Sequence, residues 1–156
     1  LRSGHQLAAA DFAEKILRNE GWSDPDIEAV AHCIRSHRFR DQVENPQTLE
    51  AQVLFDADKL DAIGAVGVAR AVGYALRAGM DVYALPSDQY LETGQLAAGE
   101  TQTVAHEYLF KLRHIKDRIY TKTGRSLAEK RHQLMVDFFA GWMEEIGGPG
   151  RPPGES

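Results

Sequence analysis

The sequence predicts an all-α fold, and three observations support this prediction. Apolar residues recur at spacings of three and four through most of the chain, as they do on the buried face of a helix. Residues that start helices, such as Ser and Asp, and glycines that end them separate these periodic stretches. No stretch has the alternating apolar pattern of a half-buried strand, so we expect five or six helices and no sheet.

The first two helices have clear boundary signals. Apolar residues at helical spacing predict the first helix over residues 6–19, and Gly21 is a typical residue to end it. Ser23 is a good N-cap for a second helix, because its side-chain oxygen can accept a backbone N–H of the first turn. That helix is predicted to run to about His37, which continues its apolar stripe.

The later elements are less regular. Residues 80–100 have no sustained period, so we expect a long loop with one short helix, of the kind that often forms a lid or a specificity element. A long helix is predicted over residues 101–121. Ser126 is expected to cap a final helix that reaches about residue 146. The Gly- and Pro-rich end, residues 147–156, is predicted to be disordered.

The composition excludes several classes of protein. A chain of 156 residues with 43% apolar and 26% charged residues is typical of one globular domain. The net charge of −5 argues against general nucleic-acid binding. No apolar run is long enough to cross a bilayer, so we expect no membrane partner. The single cysteine, Cys33, excludes an internal disulfide and favours a reducing, cytoplasmic location.

The central helix is the most informative stretch. It is predicted to begin near Leu49 and to continue to about residue 78, with Gly64 near a possible break. Apolar residues surround it on most sides, which predicts that Leu49–Leu60 is among the most buried segments. It nevertheless carries three aspartates, and burying an unpaired carboxylate costs several kcal/mol. We therefore expect a metal ion, or Arg and Lys side chains, beside Asp56, Asp58 and Asp61.

The string FDADKLDAIGAVGVAR, residues 55–70, resembles the last motif of the HD-domain metal-dependent phosphohydrolases. The upstream segments HCIRSHRFR and NPQTLEAQ resemble what precedes this motif in one bacterial and archaeal branch. The segment 111–145 resembles the C-terminal helices of the family, so the resemblance covers residues 4 to about 145. It implies an HD-domain-like helical bundle and metal-assisted hydrolysis of a nucleotide or another small phosphate ester.

The resemblance also implies roles for individual residues. It identifies Asp58 as a metal ligand, while Asp61 could hold a metal-bound water or a substrate hydroxyl. His37 resembles a position that binds metal in binuclear members and contacts phosphate in mononuclear ones. His5 resembles a further histidine of this branch. Imidazole and carboxylate ligands suit divalent Mn, Fe, Co, Ni or Zn, and Mg is also considered.

The other polar residues leave alternatives open. Asp56 is expected to make a structural salt bridge, and His32 to lie outside the site. His106, His114 and His132 are interpreted as surface or structural residues. Arg38 and Lys59 could neutralise charge on a phosphate, although Lys59 could equally pair with a neighbouring carboxylate. Eight basic residues fall between positions 111 and 131, and they form either a solvated helix pair or a phosphate-binding surface that includes Lys111, Lys122 and Arg125.

One departure from the family is serious. No histidine in this sequence is followed by aspartate, whereas the family is named for a His-Asp pair that follows a further histidine ligand. We therefore expect residues 1–146 to be an HD-like domain that lacks its first helices, inactive as this fragment. The alternative is a non-catalytic helical module that binds a nucleotide or a protein partner. Apolar surface left open by missing helices would favour self-association into a homo-oligomer.

Overall fold

A computed structural model describes residues 4–38 and 44–147 of the chain. Within these ranges there is no β-strand, and the all-α prediction is confirmed. Seven α-helices occur there, more than the five or six expected, together with two short 3-10 helices at Leu112–His114 and Lys116–Arg118. The α-helices are α1 His5–Asn19, α2 Asp24–Ser36, α3 Leu49–Leu60, α4 Gly64–Arg77, α5 Asp88–Thr93, α6 Val104–Phe110 and α7 Lys122–Gly147.

The chain divides into two compact units, which we describe separately. The first unit contains Leu1–Asp58 and Tyr120–Gly124, and the second contains Lys59–Ile119 and Arg125–Ser156. The disordered tail predicted for residues 147–156 lies, from residue 148 onward, outside the described residues. In the described part of the chain, no helix is both long and apolar enough to cross a bilayer.

In the first unit, α1 packs against α2. The turn between them passes through Gly21, whose φ of 79° lies in the region that favours glycine. Ser23 caps α2 as predicted, because its hydroxyl oxygen accepts the backbone N–H of Asp26 at 3.4 Å. Ala10 of α1 and Ala31 of α2 are almost completely buried, so small side chains lie in the core of this helix pair.

Helix α3 is buried on one side and not on most sides, so that prediction is wrong. Ala51 and Phe55 are no more than 2% exposed, whereas Leu49 and Val53 are 65% and 52% exposed. The apolar residues of α3 cover more of its circumference than its neighbours in the described ranges can bury. Counting apolar residues therefore overestimated how many neighbours this helix has.

The predicted central helix is two helices in the structure. The break comes at Gly64, whose φ of 75° is a conformation that side chains rarely adopt. At Gly67 an added Cβ would lie 2.3 Å from the carbonyl oxygen of Ala62, so only glycine allows α4 to begin this close to the preceding turn. Arg131 of α7 donates a 2.5 Å hydrogen bond to the carbonyl oxygen of Leu60, the last residue of α3.

The long helix predicted over residues 101–121 is wrong. Helix α6 ends at Phe110, because the backbone at Lys111 leaves the helical region with φ −132° and ψ −56°. The final helix begins at Lys122 and not after Ser126, which lies inside it. Its first turn is fixed by Thr121, whose Oγ1 accepts the backbone N–H of Gly124 at 2.9 Å.

The predicted loop with one short helix is confirmed over residues 80–100. The loop is held by the carboxylate of Glu100, which accepts the backbone N–H groups of Ser87 and Ala97, each at 2.7 Å. The Nε2–H of the buried His106 donates to the same carboxylate at 3.0 Å. The acidic side chain therefore ties the segments on both sides of α5 to α6.

Candidate functional site

The structure brings together two of the residues predicted to bind a metal. His5 is the first residue of α1, and His37 directly follows α2. Their ring centroids are 6.0 Å apart, with the rings nearly perpendicular at 73°. Because α1 packs on α2, the start of one helix lies beside the end of the other. The packing of these helices therefore places two imidazoles from distant parts of the sequence side by side.

The ring of His37 is oriented by its own helix. Its Nδ1 lies 2.5 Å from the carbonyl oxygen of Ile34, one turn earlier. A carbonyl oxygen can only accept, so Nδ1 carries the proton and, in the neutral ring, Nε2 is the acceptor. Histidines that bind metals commonly use this arrangement, because the backbone carbonyl fixes both the tautomer and the ring orientation.

The residue after His37 is held next to the histidine pair. Arg38 donates from Nη1 to the side-chain oxygen of Gln6 at 3.2 Å. Gln6, which follows His5, is only 3% exposed and forms a buried anchor. The guanidinium of Arg38 is thereby attached to the same end of α1 that carries His5, where a positive charge could meet an anionic ligand.

The three aspartates of the central motif have different environments. Asp56 is 3% exposed and accepts the backbone N–H groups of Tyr120 and Thr121, so it makes a backbone bridge where a salt bridge was expected. Asp61 pairs with Arg70 at 2.9 Å in the exposed part of the second unit. Asp58 is an exposed residue of α3 in the first unit.

The predicted ligand set is not assembled into one centre. Across residues 4–38 and 44–147, no group of three or more His, Cys, Asp or Glu side chains lies close enough to hold a metal ion. The two imidazoles suit a divalent transition metal, since neutral imidazole is the most common ligand for such ions. The structure therefore brings His5 and His37 side by side. Among the described residues, Asp58 does not join the two rings in a group of three that could hold a metal ion.

The predicted phosphate-binding bases lie in both units. Lys122 is exposed at the start of α7 in the first unit. In the second unit Lys111 donates to Glu107 at 2.6 Å, and Arg125 donates to the carbonyl oxygen of Ile119 at 3.2 Å. Lys59, also in the second unit, is 7% exposed. Part of the basic segment is thus used in local contacts, as the solvated helix-pair interpretation allows.

Sequence reasoning did not find the hydrogen bonds of two histidines, His32 and His106. His32 was expected outside the site, and it forms a bonded cluster with the segment that leads into α3. His106 is fully buried and structural, one of the two roles considered for it. The signal for His32 was weak, because its partners lie 12 and 15 residues later, beyond the reach of helical periodicity.

Comparisons with known proteins agree with this architecture. Residues 2–63 match the family model described as HD domain. The chain is 34% identical to the protein YpgQ of Bacillus subtilis over 131 residues, which cover 82% of this chain and 57% of YpgQ. It therefore spans less than two thirds of the length of this relative.

Solved structures give the same result. The crystal structure of Bacillus subtilis YpgQ superposes with a TM-score of 0.66 at 32% identity, over 89% of this chain and 64% of YpgQ. YpgQ in complex with ADP gives a TM-score of 0.65 with the same identity and coverage. An HD-superfamily hydrolase from Bacillus thuringiensis, 26% identical, gives 0.57 over 94% of this chain and 64% of that one. The resemblance of this all-α chain to HD-domain proteins is therefore confirmed.

Proposed function

We propose that the protein is a metal-dependent phosphohydrolase of the HD superfamily that acts on a nucleotide or another small phosphate ester. The observation that carries the proposal is the pair His5 and His37, with the His37 ring oriented by the carbonyl oxygen of Ile34. The HD-domain match over residues 2–63 includes both histidines and Asp58. The relative that superposes on this chain was crystallised with ADP, which supports a nucleotide as ligand.

In this proposal His5, His37 and Asp58 are the residues of this chain that would hold a divalent metal, whether Mn, Fe, Co, Ni, Zn or Mg. Such a metal, when bound, activates a water molecule and polarises a phosphoryl oxygen. The chain itself contributes orientation, because His37 donates its Nδ1 proton to the carbonyl oxygen of Ile34, so Nε2 would be the atom that binds the metal. Asp58 contributes a carboxylate from α3, a helix that also carries the buried anchor Asp56.

The anionic end of the substrate would be bound by bases of the first unit. Arg38 is attached beside the histidine pair through Gln6, and Lys122 is exposed at the start of α7. A guanidinium can donate two parallel hydrogen bonds to a phosphate, which favours Arg38 as the principal contact. The roles expected for Lys59, Asp61, Lys111 and Arg125 stay predictions.

We also propose that residues 1–146 form an HD-like domain without its first helices. Two observations support this division. No histidine in the sequence is followed by aspartate, and the chain spans 57% of the length of YpgQ. The missing His-Asp pair would complete the ligand set that the described residues hold only in part.

The second candidate function is a helical module that binds a nucleotide or a protein partner without hydrolysing it. It is favoured by the same missing pair and by the lack, within the described ranges, of three clustered ligand side chains. The two functions make different predictions about the coding sequence upstream of Leu1. A preceding in-frame His and His-Asp pair supports the enzyme, and a stop codon directly upstream supports the module.

The decisive assay uses the protein produced from its complete reading frame. Nucleoside mono-, di- and triphosphates are incubated with Mn²⁺ and then with a chelator, and released phosphate and pyrophosphate are measured. We expect metal-dependent release that Asp58→Asn abolishes and that Asp11→Asn, at an exposed position of α1, leaves unchanged. If no nucleotide is hydrolysed with any divalent metal, the non-catalytic module is the better account.

A further inference from the structure

A partly buried polar cluster connects the last turns of α2 to the segment that leads into α3. We call the residues His32, Arg35, Glu44 and Gln47 the His32 cluster. His32 Nδ1 lies 2.5 Å from one oxygen of Glu44, and Arg35 Nε donates to the other oxygen at 2.7 Å. The backbone N–H of Gln47 donates to His32 Nε2 at 3.0 Å. His32 is only 9% exposed, whereas the Glu44 side chain is 28% exposed at the edge of the cluster.

The bonding partners fix the state of the His32 ring. The backbone N–H of Gln47 can only donate, so Nε2 of His32 must accept. Nδ1 therefore carries the proton and donates it to Glu44, and the ring is neutral with both nitrogens bonded. Only histidine, among the common side chains, can donate to a carboxylate and accept a backbone N–H from one rigid ring.

Arg35 keeps Glu44 ionised as the acceptor in this cluster. Its hydrogen bond is the main reason why the pKa of Glu44 lies below its usual value, and the hydrogen bond from His32 adds to the effect. Arg35 also donates to Glu28 at 2.5 Å and lies 3.8 Å from Glu14 of α1. One guanidinium thus joins α1, α2 and the segment before α3, and it is only 20% exposed.

The cluster sets where α3 begins relative to α2. Gln47 stands two residues before Leu49, the first residue of α3. Between them, the side-chain oxygen of Thr48 accepts the backbone N–H of Ala51 at 3.2 Å. The bond between His32 and Gln47 therefore joins α2 to the start of α3. This junction lies between His37 at the end of α2 and Asp58 later in α3.

We propose that His32 is a positioning residue that, through Gln47, fixes α3 and hence Asp58 relative to His37. This inference rests on the proposed function, in which His37 and Asp58 bind one metal. His32 itself would touch neither metal nor substrate, since both of its ring nitrogens are used within the cluster.

Three substitutions of His32 test its hydrogen bonds to Gln47 and Glu44 separately. His32→Gln places an amide oxygen near the position of Nε2 and keeps an acceptor for the Gln47 N–H, whereas His32→Asn places an amide nitrogen near Nδ1 and keeps only the donation to Glu44. His32→Ala removes both. If the Gln47 bond positions α3, Gln should act as the wild-type residue does, and Asn should resemble Ala. Arg18→Ala, which breaks an exposed pair with Asp24, is the matched control in the same unit.

The experiment titrates Mn²⁺ into each variant of the protein from its complete reading frame, with thermal melting measured in parallel. We expect His32→Ala and His32→Asn to weaken Mn²⁺ binding roughly tenfold to a hundredfold, as the loss of a residue supporting a ligand does. His32→Gln and Arg18→Ala should bind as the wild type does. Equal affinities in all variants, or equal weakening by Gln and Asn, would overturn the proposal.

A second measurement separates this proposal from the proposed function. If the wild-type protein binds no Mn²⁺, the metal-dependent function fails, and the positioning is then judged by NMR on the 156-residue chain. The amide signal of Asp58 should shift in His32→Ala and His32→Asn but stay in place in His32→Gln. An unchanged Asp58 signal in all three variants would overturn the positioning role whatever the protein does with metals.

Discussion

Asp56 accepts a 2.8 Å hydrogen bond from the backbone N–H of Thr121 at one of its carboxylate oxygens. Its other oxygen accepts the N–H of Tyr120 at the same distance. The ring of Tyr120 packs edge-on against Phe55, the neighbour of Asp56, with centroids 5.1 Å apart. A single turn of α3 therefore holds the chain at the start of α7 through both polar and aromatic contacts.

We predict that Asp56→Ala destabilises the protein strongly. Two backbone N–H groups would lose their acceptor, and each unsatisfied group costs about 1–3 kcal/mol, so the total loss should be roughly 2–6 kcal/mol. The control is Asp61→Ala, which removes an exposed pair with Arg70 and should cost about 0–1 kcal/mol. Urea denaturation of both variants measures the difference. Similar losses in the two variants would show that the Asp56 bridge contributes little.

Asp58→Asn, in contrast to Asp56→Ala, should affect metal binding and activity and leave stability almost unchanged. Asp58 is exposed, and contacts of exposed charged side chains contribute little, so the substitution should change the free energy of unfolding by only about 0–1 kcal/mol. If Asp58 binds the metal, Mn²⁺ binding and hydrolysis by the protein from the complete reading frame should nevertheless be lost. Metal content by elemental analysis, together with a urea curve, tests both parts. Unchanged metal content would remove Asp58 from the site.

The glycines of α4 provide a matched pair. Gly67→Ala should be destabilising by roughly 1–3 kcal/mol, since the added Cβ would lie 2.3 Å from the carbonyl oxygen of Ala62 and the turn must shift. Gly73→Ala, in the same helix with no atom within 4 Å of the added Cβ, should stabilise by about 0.5–1 kcal/mol. Thermal melting should give Tm changes of opposite sign. A Tm that rises in both variants would contradict the close approach seen at Gly67.

The loop of residues 80–100 should show an acid-dependent stability. Hydrogen bonds from the backbone N–H groups of Ala97 and Ser87 lower the pKa of Glu100 to about 2 from a model-compound value of 4.5. A carboxyl group whose pKa is lower in the folded state stabilises the fold above its unfolded pKa, and this contribution disappears as the pH falls. We therefore expect Glu100→Gln to lower Tm at pH 7, with a difference from wild type that shrinks between about pH 4.5 and pH 2.

The control for this measurement is Glu92→Gln, at an exposed position in the same loop. Its Tm should follow that of the wild type at every pH. If the Tm difference between wild type and Glu100→Gln is the same at pH 2 as at pH 7, the carboxylate does not hold the loop in the way described.

Local signals were sufficient for part of the fold. Ser23 and Gly21 predicted the boundary between α1 and α2 because caps and turns depend on neighbouring residues. The start of α7 could not be predicted in the same way. The backbone of Tyr120, just before it, is held by Asp56, 64 residues earlier in the chain, and such a contact leaves no mark on the local pattern of residues 101–121.

The candidate site also combines features that could be predicted from the sequence with features that could not. His5 and His37 were predicted from resemblance, and the structure places them together through the packing of α1 on α2. The orientation of the His37 ring follows from a short-range contact, three residues away. The His32 cluster escaped prediction because Glu44 and Gln47 lie 12 and 15 residues after His32 in the sequence. Separations of this length are decided by tertiary structure.

The bridge from Asp56 also has a consequence for synthesis of the protein in the cell. Its partners emerge from the ribosome 64 and 65 residues after it. Since the ribosome adds about 5–20 residues per second, Tyr120 and Thr121 are made roughly 3–13 s after Asp56. The buried side of α3 thus remains incomplete while the second unit is being made. A nascent chain stalled before Tyr120 should be sensitive to protease at α3, even though α1 and α2 are already paired.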